Sequence, residues 1–422
     1  RPDSPAGLAA DWLQALPPVS PLSVYVQIPF SRRLCWFCAC RTQGVQSIDP
    51  VRSYVETLIQ EIALIRARMP SGVQLSRVHL GGGTPTLLPV DLLQTMIGHL
   101  MDLGPKTVDF EFSVEIDPGE IDDARLDCLA DTGMNRASVG VQDFDPDIQE
   151  IIGRRQSFDL TKDVVDGLRA RGVFSVNIDM LYGLPNQSQA RMTETTQKVL
   201  SLDPDRLALY GYAHVPWMSR RQRLIPSDTL PDGESRLHLF STAARLARWD
   251  GFEEIGIDHK AKPQDSLARE ARPRTMRRNF QGYTDDPAPA LLGLGASSIS
   301  RFPQGYAQNA STTADYLERI RDNRLAVTRG YTFSPDDTLR GAMIEELLCY
   351  FTLTPGKIAQ ATGTAQHRVQ ALVDQLAAAY PTLVQTRATS LELTPTGRLM
   401  ARVIAASLDT FTSEKNRHSA AI

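Results

Sequence analysis

Three cysteines stand close together near the beginning of the sequence, with the spacing of a metal-cluster site. They are Cys35, Cys38 and Cys40, and Ser31 precedes them in the stretch SVYVQIPFSRRLCWFCACRTQ. Thiolates are the usual protein ligands of iron–sulfur clusters. Ser31 stands where the spacing would accommodate a fourth sulfur, but its hydroxyl is a hard, rarely ionised oxygen and therefore a poor ligand for such a cluster.

Four further motifs each follow a short apolar run of strand-like sequence. Residues 81–85 (GGGTP) predict a backbone that approaches a ligand closely and offers amide donors. Glu115 and Asp117 in SVEIDP, Gln142 in SVGVQDF and Asp179 in NIDMLYGLP add carboxylate and amide groups. Each motif alone has a structural explanation, such as a tight turn or an ion pair. Four in equivalent positions favour one shared ligand site.

Arginines cluster in two segments, the second of which also contains aromatic residues. They are Arg220, Arg221 and Arg223 in WMSRRQRL, and Arg277 and Arg278, beside Phe280 and Tyr283, in TMRRNFQGY. Guanidinium groups match carboxylates bidentately, and aromatic side chains stack on flat rings, so these segments suit the binding of carboxylates and of a flat ring. A solvated basic surface explains Arg220 and Arg221 equally well.

The remaining histidines and cysteines do not assemble a site by their spacing. His79, His214 and His259 are isolated in the sequence, which favours structural roles. Cys128 and Cys349 stand alone in apolar, helix-like segments. With five cysteines in 422 residues, a disulfide scaffold is excluded, and a reducing compartment is favoured.

Six apolar, β-favouring runs alternate with amphipathic stretches along the chain. The motifs described above follow these runs, so the predicted strands determine where the motifs lie. The runs lie at residues 22–28, 76–80, 108–116, 136–141, 174–180 and 206–212. Between the first two, Tyr54, Leu58, Ile62, Ile65 and Met69 recur at the three- and four-residue steps of a helix face. This alternation predicts an α/β fold with parallel strands rolled into a full or partial (β/α)6 barrel of TIM type. Chemistry then collects at the C-terminal ends of the strands.

The sequence divides into three regions. Residues 1–21 form an N-terminal segment, and residues 22–331 form the barrel and its extension. Residues 332–422 predict short helices, a two-strand ribbon around residues 383–393 and a final helix, an order typical of winged-helix domains. Such a domain can bind DNA or cover a substrate; the lack of a basic stripe favours a substrate-covering domain.

The composition of the chain indicates a folded protein and argues against nucleic-acid and membrane partners. Hydrophobic residues make up 42% and charged residues 22% of the chain, as in an ordinary folded protein. The formal net charge of −4 argues against a nucleic-acid binder. No apolar run reaches the roughly 18 residues of a membrane span, and no secretory signal is visible. We therefore expect a cytoplasmic protein without nucleic-acid or membrane partners.

Taken together, these motifs resemble one family of radical S-adenosylmethionine (SAM) enzymes, the oxygen-independent coproporphyrinogen III oxidases. The resemblance runs in order from about Leu22 to the end of the chain. It rests on the cysteine cluster and on YVQIPF, GGGTPT, EIDP, GVQDF, NIDMLYGLP, LYGYAHVPWM, RRNFQGYT and LGASSIS…YAQN.

The resemblance implies a reaction, cofactors and partners. Family members hold a [4Fe–4S] cluster through C-x3-C-x2-C and bind SAM at the iron that the cysteines leave open; two SAM molecules have been proposed. A radical derived from SAM takes a hydrogen from a propionate of coproporphyrinogen III, and loss of carbon dioxide and an electron leaves a vinyl group. Two rounds give protoporphyrinogen IX. The resemblance also implies a monomer served by a small electron donor such as flavodoxin or ferredoxin.

By motif match, the resemblance also assigns site residues. Tyr25 and Glu115 take catalytic roles, and Cys35, Cys38 and the family cysteine position, Ser31, hold the cluster, with Cys40 as a possible substitute ligand. The SAM-binding positions are Tyr25, Phe37, Gly82, Gly83, Thr84, Glu115, Gln142, Arg154, Asp179, Ala213 and Ile299.

The chain departs from the family pattern at two positions. Ser31 replaces a cysteine, and Gln27 replaces the histidine of Y-x-H-I-P-F. Three explanations stand: an engineered ligand substitution, a site that still assembles with altered ligation, or a paralogue that has lost radical chemistry. Such a paralogue would be a tetrapyrrole binder or haem carrier.

Overall fold

The computed structural model describes residues 4–411; the parts of the predicted terminal regions at residues 1–3 and 412–422 lie outside them. In chain order the strands are β1 (Pro21–Ile28), β2 (Phe30–Ser31), β3 (Gln43–Gly44), β4 (Gln74–Gly82), β5 (Lys106–Ile116), β6 (Arg136–Gln142), β7 (Ser175–Tyr182), β8 (Arg206–Gly211), β9 (Glu253–Ile255), β10 (His259–Ala261), β11 (Arg277–Asn279), β12 (Gly282–Thr284), β13 (Ala290–Leu294), β14 (Ile299–Phe302), β15 (Gly305–Asn309), β16 (Val327–Thr332), β17 (Thr352–Leu353), β18 (Val384–Thr386) and β19 (Leu391–Leu393).

Helices connect most of these strands. They are α1 (Pro5–Gln14), α2 (Asp49–Arg66), α3 (Val90–Met101), α4 (Asp123–Asp131), α5 (Pro146–Ile151), α6 (Phe158–Ala170), α7 (Gln189–Ser201), α8 (Gly233–Trp249), α9 (Ser266–Ala271), α10 (Thr313–Arg321), α11 (Pro335–Tyr350), α12 (Pro355–Thr362), α13 (Gln366–Ala379), α14 (Pro395–Leu399) and α15 (Ala401–Ala406). None of the helices within residues 4–411 combines the length and apolar character of a bilayer-spanning segment.

The main sheet has the strand order β16-β15-β14-β13-β1-β4-β5-β6-β7-β8-β10-β9. The six predicted strands correspond to β1, β4, β5, β6, β7 and β8, which pair in parallel in sequence order. The predicted α/β fold with a partial barrel is therefore confirmed. Strand β13 adds a seventh parallel strand beside β1, and antiparallel strands extend both ends of the sheet.

Helix α2 buries the face that its periodicity predicts. Tyr54, Leu58, Ile62 and Ile65 are buried in the main core, whereas Met69 lies beyond the helix end and packs partly exposed against it. Helix α1 belongs to the same core through its buried apolar residues, and it contacts β16. Helix α1 therefore shares the hydrophobic core of the main sheet, and the boundary at residue 21 stays a prediction.

The C-terminal region has a hydrophobic core of its own. It contains Leu339, Leu353, Val373, Leu391 and Ile404, contributed by α11, β17, α13, β19 and α15. The predicted ribbon is present as β18 and β19, and the short strand β17, which sequence reasoning missed, completes a three-stranded antiparallel sheet. The boundary at residue 332 stays a prediction.

Candidate functional site

A cavity of about 170 Å³, here called the loop cavity, lies between the carboxyl ends of the central strands and the loop of residues 31–42, here called the cysteine loop. The predicted site residues that line it are Ser31, Cys35, Phe37, Cys38, Gly82, Gly83, Thr84, Glu115, Gln142, Arg154 and Asp179. Side chains from four strand ends thus meet at one edge of the sheet because parallel strands point the same way.

The side chains of the cysteine loop have distinct partners. Cys35 Sγ accepts a hydrogen bond from Nη1 of Arg154 at 3.6 Å, and Cys38 Sγ accepts one from the backbone N–H of Cys40 at 3.4 Å. A hydrogen bond from the Cys40 side chain, more than the one from its backbone, lowers the pKa of the Cys38 thiol to about 6. Ser31 is buried, and its Oγ lies 3.0 Å from Oγ1 of Thr84, so the two hydroxyls satisfy each other.

The segment of residues 213–224, here called the clamp segment, holds the backbone of the cysteine loop. Gln222 is fully buried, and its Nε2 donates to the Phe37 carbonyl at 2.7 Å. Ser219 Oγ donates to the Cys38 carbonyl at 3.1 Å, and Arg221 donates to the Cys40 carbonyl at 2.9 Å. Arg221 therefore fixes the loop rather than forming a solvated basic surface.

The glycines at the end of β4 allow close packing. A Cβ on Gly83 would lie 2.4 Å from the Phe30 carbonyl oxygen, and Gly82 has a φ of +113°. The expectation that this motif offers amide donors to a ligand is wrong at residues 82–84. The Gly82 amide donates to Glu115 at 3.0 Å, and the amides of Gly83 and Thr84 donate to carbonyls of the β1–β2 segment.

Glu115, Tyr25 and His79 form the boundary between the loop cavity and a second cavity. His79 Nε2 lies 3.3 Å from Oε1 of Glu115, and the Tyr25 ring stacks on His79 with centroids 5.7 Å apart. Burial, together with the charges of Glu115 and Cys40, raises the pKa of Tyr25 far above its usual value. His79 is thus a member of the site, contrary to the structural role expected from its isolation in sequence.

Strands β6 and β7 supply a polar cluster. Asp179 accepts hydrogen bonds from Ser138 Oγ at 3.1 Å and Asn177 Nδ2 at 2.8 Å, and burial raises the pKa of its carboxyl. Gln142 has a φ of +70° beside a bulge in the pairing of β6 with β7. Non-glycine residues held at positive φ concentrate at functional sites.

The second cavity, here called the barrel cavity, measures about 370 Å³ and shares Glu115, Ser138 and Asp179 with the loop cavity. Tyr25, His79 and His259 line it, as do Phe280 and Tyr283 from the β11–β12 segment. Its charged side chains are Arg77, Arg136, Arg206, Glu111, Glu115, Asp179, Asp285 and Asp286, so carboxylates outnumber arginines by five to three.

Three predicted site residues line neither cavity. The Ala213 carbonyl accepts from Gln222 at 3.0 Å and thereby supports the clamp segment. Ile299 is half-buried on β14, opposite Gln308. Cys40 is exposed next to Cys38.

Comparison with known proteins identifies the family. Residues 25–199 match the Radical SAM superfamily. The chain is 53% identical to the oxygen-independent coproporphyrinogen III oxidase of Paracoccus denitrificans, over 98% of this chain and 91% of the relative. It is 34% identical to the Pseudomonas aeruginosa oxidase of the same name, over 94% of this chain and 87% of the relative. The chain belongs to the oxygen-independent coproporphyrinogen III oxidase family.

A solved structure agrees with this membership. The radical SAM coproporphyrinogen III oxidase from Escherichia coli superposes with a TM-score of 0.91 at 34% identity, covering 96% of this chain and 93% of that chain. The resemblance inferred from the motifs is thus confirmed. Membership of this family implies SAM and a [4Fe–4S] cluster.

The loop cavity suits the methionine part of SAM, which carries an ammonium group, a carboxylate and a sulfonium. Glu115 and Asp179 offer carboxylates to the cationic groups. Arg154 is buried, and its Nε has no hydrogen-bond partner within the described residues. A buried donor without a partner is costly, and an anionic ligand group supplies one.

The donor set at the family's cluster positions does not fit a cluster held by three thiolates. Ser31, Cys35 and Cys38 supply two thiols and one hydroxyl that already bonds to Thr84. Across residues 4–411, no three cysteine, histidine, aspartate or glutamate side chains are arranged to hold a metal ion.

Several residues near the cavities were missed by the sequence analysis. Ser138 shares a strand face with Gly140 and Gln142 at two-residue steps, a period that could have revealed it. Asp258, by contrast, accepts from Arg278 at 3.4 Å and from Arg402 at 2.6 Å, contacts between distant segments that no local pattern signals.

Proposed function

We propose that this chain catalyses the oxidative decarboxylation of coproporphyrinogen III to protoporphyrinogen IX in anaerobic haem biosynthesis. In each of two rounds a propionate side chain loses carbon dioxide, one hydrogen atom and one electron, and becomes a vinyl group. The observation that carries the proposal is the convergence of the cysteine loop and four strand-end motifs on one cavity, in a chain that resembles such oxidases over almost its whole length.

The test is an anaerobic incubation of the reconstituted protein with SAM, a reductant and coproporphyrinogen III. We expect two carbon dioxide molecules and one protoporphyrinogen IX per substrate, with 5′-deoxyadenosine as the SAM product. The Ser31→Cys variant is assayed in parallel because it carries the family cysteine. Absence of deoxyadenosine and carbon dioxide with both proteins refutes the proposal. Porphyrin binding without either product would indicate the carrier function, which the similarity to oxidases does not favour.

In this proposal the chain's own residues bind and orient SAM in the loop cavity. Glu115 and Asp179 face its cationic groups, and Arg154 faces its carboxylate. Phe37 and Gln142 complete the cavity wall and exclude water from the reacting atoms.

The barrel cavity is our proposed site for a second SAM molecule. Its excess of carboxylates over arginines favours a cationic ligand over a substrate with four carboxylates. Its volume lies near the lower end of the roughly 300–1,000 Å³ of small-molecule pockets. Isothermal titration should give two SAM molecules per chain, and the His259→Ala variant should retain one.

Cationic side chains that could bind the substrate carboxylates lie outside the barrel cavity, at the junction between the barrel and the C-terminal region. Arg278 and Arg402 converge on Asp258, and Arg236 lies against the Tyr182 ring with its Cζ 5.6 Å from the centroid. The guanidinium groups of Arg278 and Arg402 share the single carboxylate of Asp258 and leave a net positive charge. We therefore assign substrate carboxylate binding to this junction and a substrate-covering role to residues 332–422.

We assign delivery of the electron to a small acidic carrier of the flavodoxin or ferredoxin class. Around the clamp segment, Trp217, Met218 and Leu224 are exposed apolar residues, and Arg220 and Arg223 are exposed cations. An apolar surface with basic neighbours suits an acidic partner. The Arg220→Glu variant should bind flavodoxin at least tenfold more weakly, and the control Arg245→Glu, at an exposed position of helix α8, should not.

We also propose that the protein acts as a monomer in the cytoplasm. Light scattering on a sizing column should give a mass close to the 46.6 kDa of one chain. A dimer at micromolar concentration would refute the monomer.

A further inference from the structure

His259 presents a ring nitrogen to the barrel cavity that the protein itself bonds only weakly. The side chain is 7% exposed and lines the cavity together with Tyr210. Its Nδ1 lies 2.6 Å from Oδ1 of Asp258, and its Nε2 lies 3.4 Å from the Tyr210 hydroxyl. The second distance is longer than the roughly 2.7–3.2 Å of an ordinary hydrogen bond. Nε2 is therefore available to a ligand in the cavity.

The other side chains of the barrel cavity that can carry a positive charge face carboxylates of the protein. These pairs are Arg77 with Asp285 at 3.2 Å, Arg136 with Glu111 at 2.6 Å, Arg206 with Asp265 at 2.7 Å, and His79 with Glu115 at 3.3 Å. The second ring nitrogen of His79 is also engaged, since its Nδ1 lies 2.6 Å from Ser113 Oγ. An anionic group that enters the cavity therefore finds its cationic partner at Nε2 of His259.

Asp258 holds the imidazole of His259 from the opposite side. Asp258 is 1% exposed, and its Oδ2 accepts hydrogen bonds from Arg402 at 2.6 Å and from Arg278 at 3.4 Å. Burial alone would raise the pKa of Asp258, but the hydrogen bond from His259 and the charges around the carboxyl hold it well below its ordinary value. An ionised acceptor at Nδ1 keeps a proton on that nitrogen, so that Nε2 is the nitrogen left for a ligand.

Tyr210 supplies a second hydrogen-bond donor beside Nε2. Burial, together with the charges of Asp179 and Asp258, raises the pKa of Tyr210, so its hydroxyl keeps its proton. Two neighbouring donors suit the two oxygens of one carboxylate, and hydrogen bonds to ionised groups are the stronger ones. When Nδ1–H donates to Asp258 and Nε2–H donates to a bound carboxylate, the ring carries both protons, and its charge is compensated on both sides.

We propose that His259 and Tyr210 form a carboxylate-binding subsite of the barrel cavity, with Asp258 as the positioning residue behind the imidazole. Both ligands of the proposed function carry carboxylates, SAM in its methionine part and coproporphyrinogen III in its side chains. We assign the subsite to SAM, because the five carboxylates of the cavity repel a substrate that carries four more. The inference rests on the proposed function for its ligands, but binding alone measures it.

Decarboxylated SAM is the probe that isolates the carboxylate, because it keeps the adenosine, the sulfonium and the ammonium group. Isothermal titration of the full chain compares it with SAM. We expect His259→Gln and Tyr210→Phe each to weaken the second SAM-binding event roughly tenfold, as for the loss of a hydrogen bond to a charged group. Both variants should bind decarboxylated SAM like the unmodified protein. The matched control, His238→Gln at an exposed position of α8, should change neither affinity.

The nitrogen resonances of the imidazole test the positioning role of Asp258. The chain has seven histidines, and after labelling with ¹⁵N the signals of His259 are those that disappear in His259→Gln. Because Arg278 and Arg402 donate to Oδ2, Asp258→Asn should turn its amide oxygen toward them and its NH₂ group toward Nδ1. We expect the Nδ1 resonance to become that of an unprotonated nitrogen, a change that loss of packing alone does not produce. An unchanged resonance overturns the positioning role.

The binding measurements also separate the two sources of the carboxylate. Weaker binding of coproporphyrin III by Tyr210→Phe, which keeps the His259–Asp258 pair, with unchanged SAM affinity would support the subsite but assign it to the substrate. Equal losses for SAM and decarboxylated SAM overturn the subsite, as do unchanged affinities for SAM and coproporphyrin III in both variants. Circular dichroism confirms that each variant is folded. An unmodified chain that binds a single SAM overturns the assignment to SAM, whereas the proposed decarboxylation keeps its own test.

Discussion

The Tyr25 hydroxyl donates a 2.6 Å hydrogen bond to Oε1 of Gln27, and both side chains are buried. The Gln27 amide lies against Gly82, where a Cβ would approach Nε2 to 2.5 Å. Gln27 therefore contacts both the Tyr25 hydroxyl and Gly82, and in this way it fixes the orientation of the Tyr25 ring relative to the glycines at the end of β4.

We expect Gln27→Ala to destabilise the protein by about 1–3 kcal/mol, because it leaves a buried hydroxyl without its acceptor. Urea unfolding measures the loss. A double-mutant cycle with Tyr25→Phe supplies the control, since removing both partners should cost less than the sum of the two single changes. Strict additivity would show that the pair is not coupled.

Glu61 of α2 makes the stability of the protein depend on pH. It is fully buried and accepts hydrogen bonds from the Gly295 N–H at 2.7 Å, Asn309 Nδ2 at 2.7 Å and the Tyr316 hydroxyl at 2.8 Å. Burial nevertheless dominates and raises the pKa of Glu61 from 4.5 to about 7. The native state therefore keeps a proton that the unfolded chain releases at lower pH.

The free energy of unfolding should thus fall as the pH rises from about 4.5 to about 7, by up to roughly 3 kcal/mol from this group. The Glu61→Gln variant should lose this part of the pH dependence because its side chain does not ionise. Glu56→Gln, on the exposed side of the same helix, should retain it. Urea unfolding at pH 5 and pH 8 compares the three proteins; identical slopes would contradict the assignment.

Arg402 provides the test of the proposed substrate site. Its Nη2 bonds to Asp258 at 2.6 Å, and Arg402→Ala leaves that carboxylate with Arg278 and His259 as partners. We expect this variant to bind coproporphyrin III, the stable fluorescent product of substrate oxidation, roughly tenfold more weakly, equivalent to about 1.4 kcal/mol. Its affinity for SAM should not change.

The matched control for this change is Arg387→Ala. Arg387 lies on the C-terminal ribbon, where it forms an exposed ion pair with Glu392. The Arg387→Ala variant should bind coproporphyrin III with the same affinity as the unmodified protein. Equal weakening in both variants would indicate a general charge effect instead of a specific site.

Gly83 and Gly98 offer a contrast between two glycine-to-alanine changes. A Cβ on Gly83 would meet the Phe30 carbonyl oxygen at 2.4 Å, so Gly83→Ala must shift β2 away from β4 and should cost more than about 2 kcal/mol. Gly98 lies on an exposed face of α3 with no atom within 4 Å of its Cβ position. Gly98→Ala should stabilise the protein by about 0.5–1 kcal/mol. Thermal unfolding compares the two.

The fold could be predicted from sequence because each strand and each helix shows its characteristic spacing of apolar residues within its own short stretch of the chain. For the same reason the strand-end motifs could be grouped before any coordinates, since parallel strands bring their carboxyl ends together. The pairing of the amides at residues 82–84 could not be foreseen, because the acceptors come from β1, β2 and β5. The shared contacts of Asp258 with Arg278 and Arg402 join residues from three separate segments and leave no local pattern.

The clamp segment has a consequence for how the protein is made. The carbonyls of Phe37, Cys38 and Cys40 are held by side chains that follow them by about 180 positions. During synthesis, which proceeds from the N-terminus, the cysteines leave the ribosome long before these partners do. The cysteine loop therefore cannot reach its final geometry until the eighth strand and the residues that follow it have emerged.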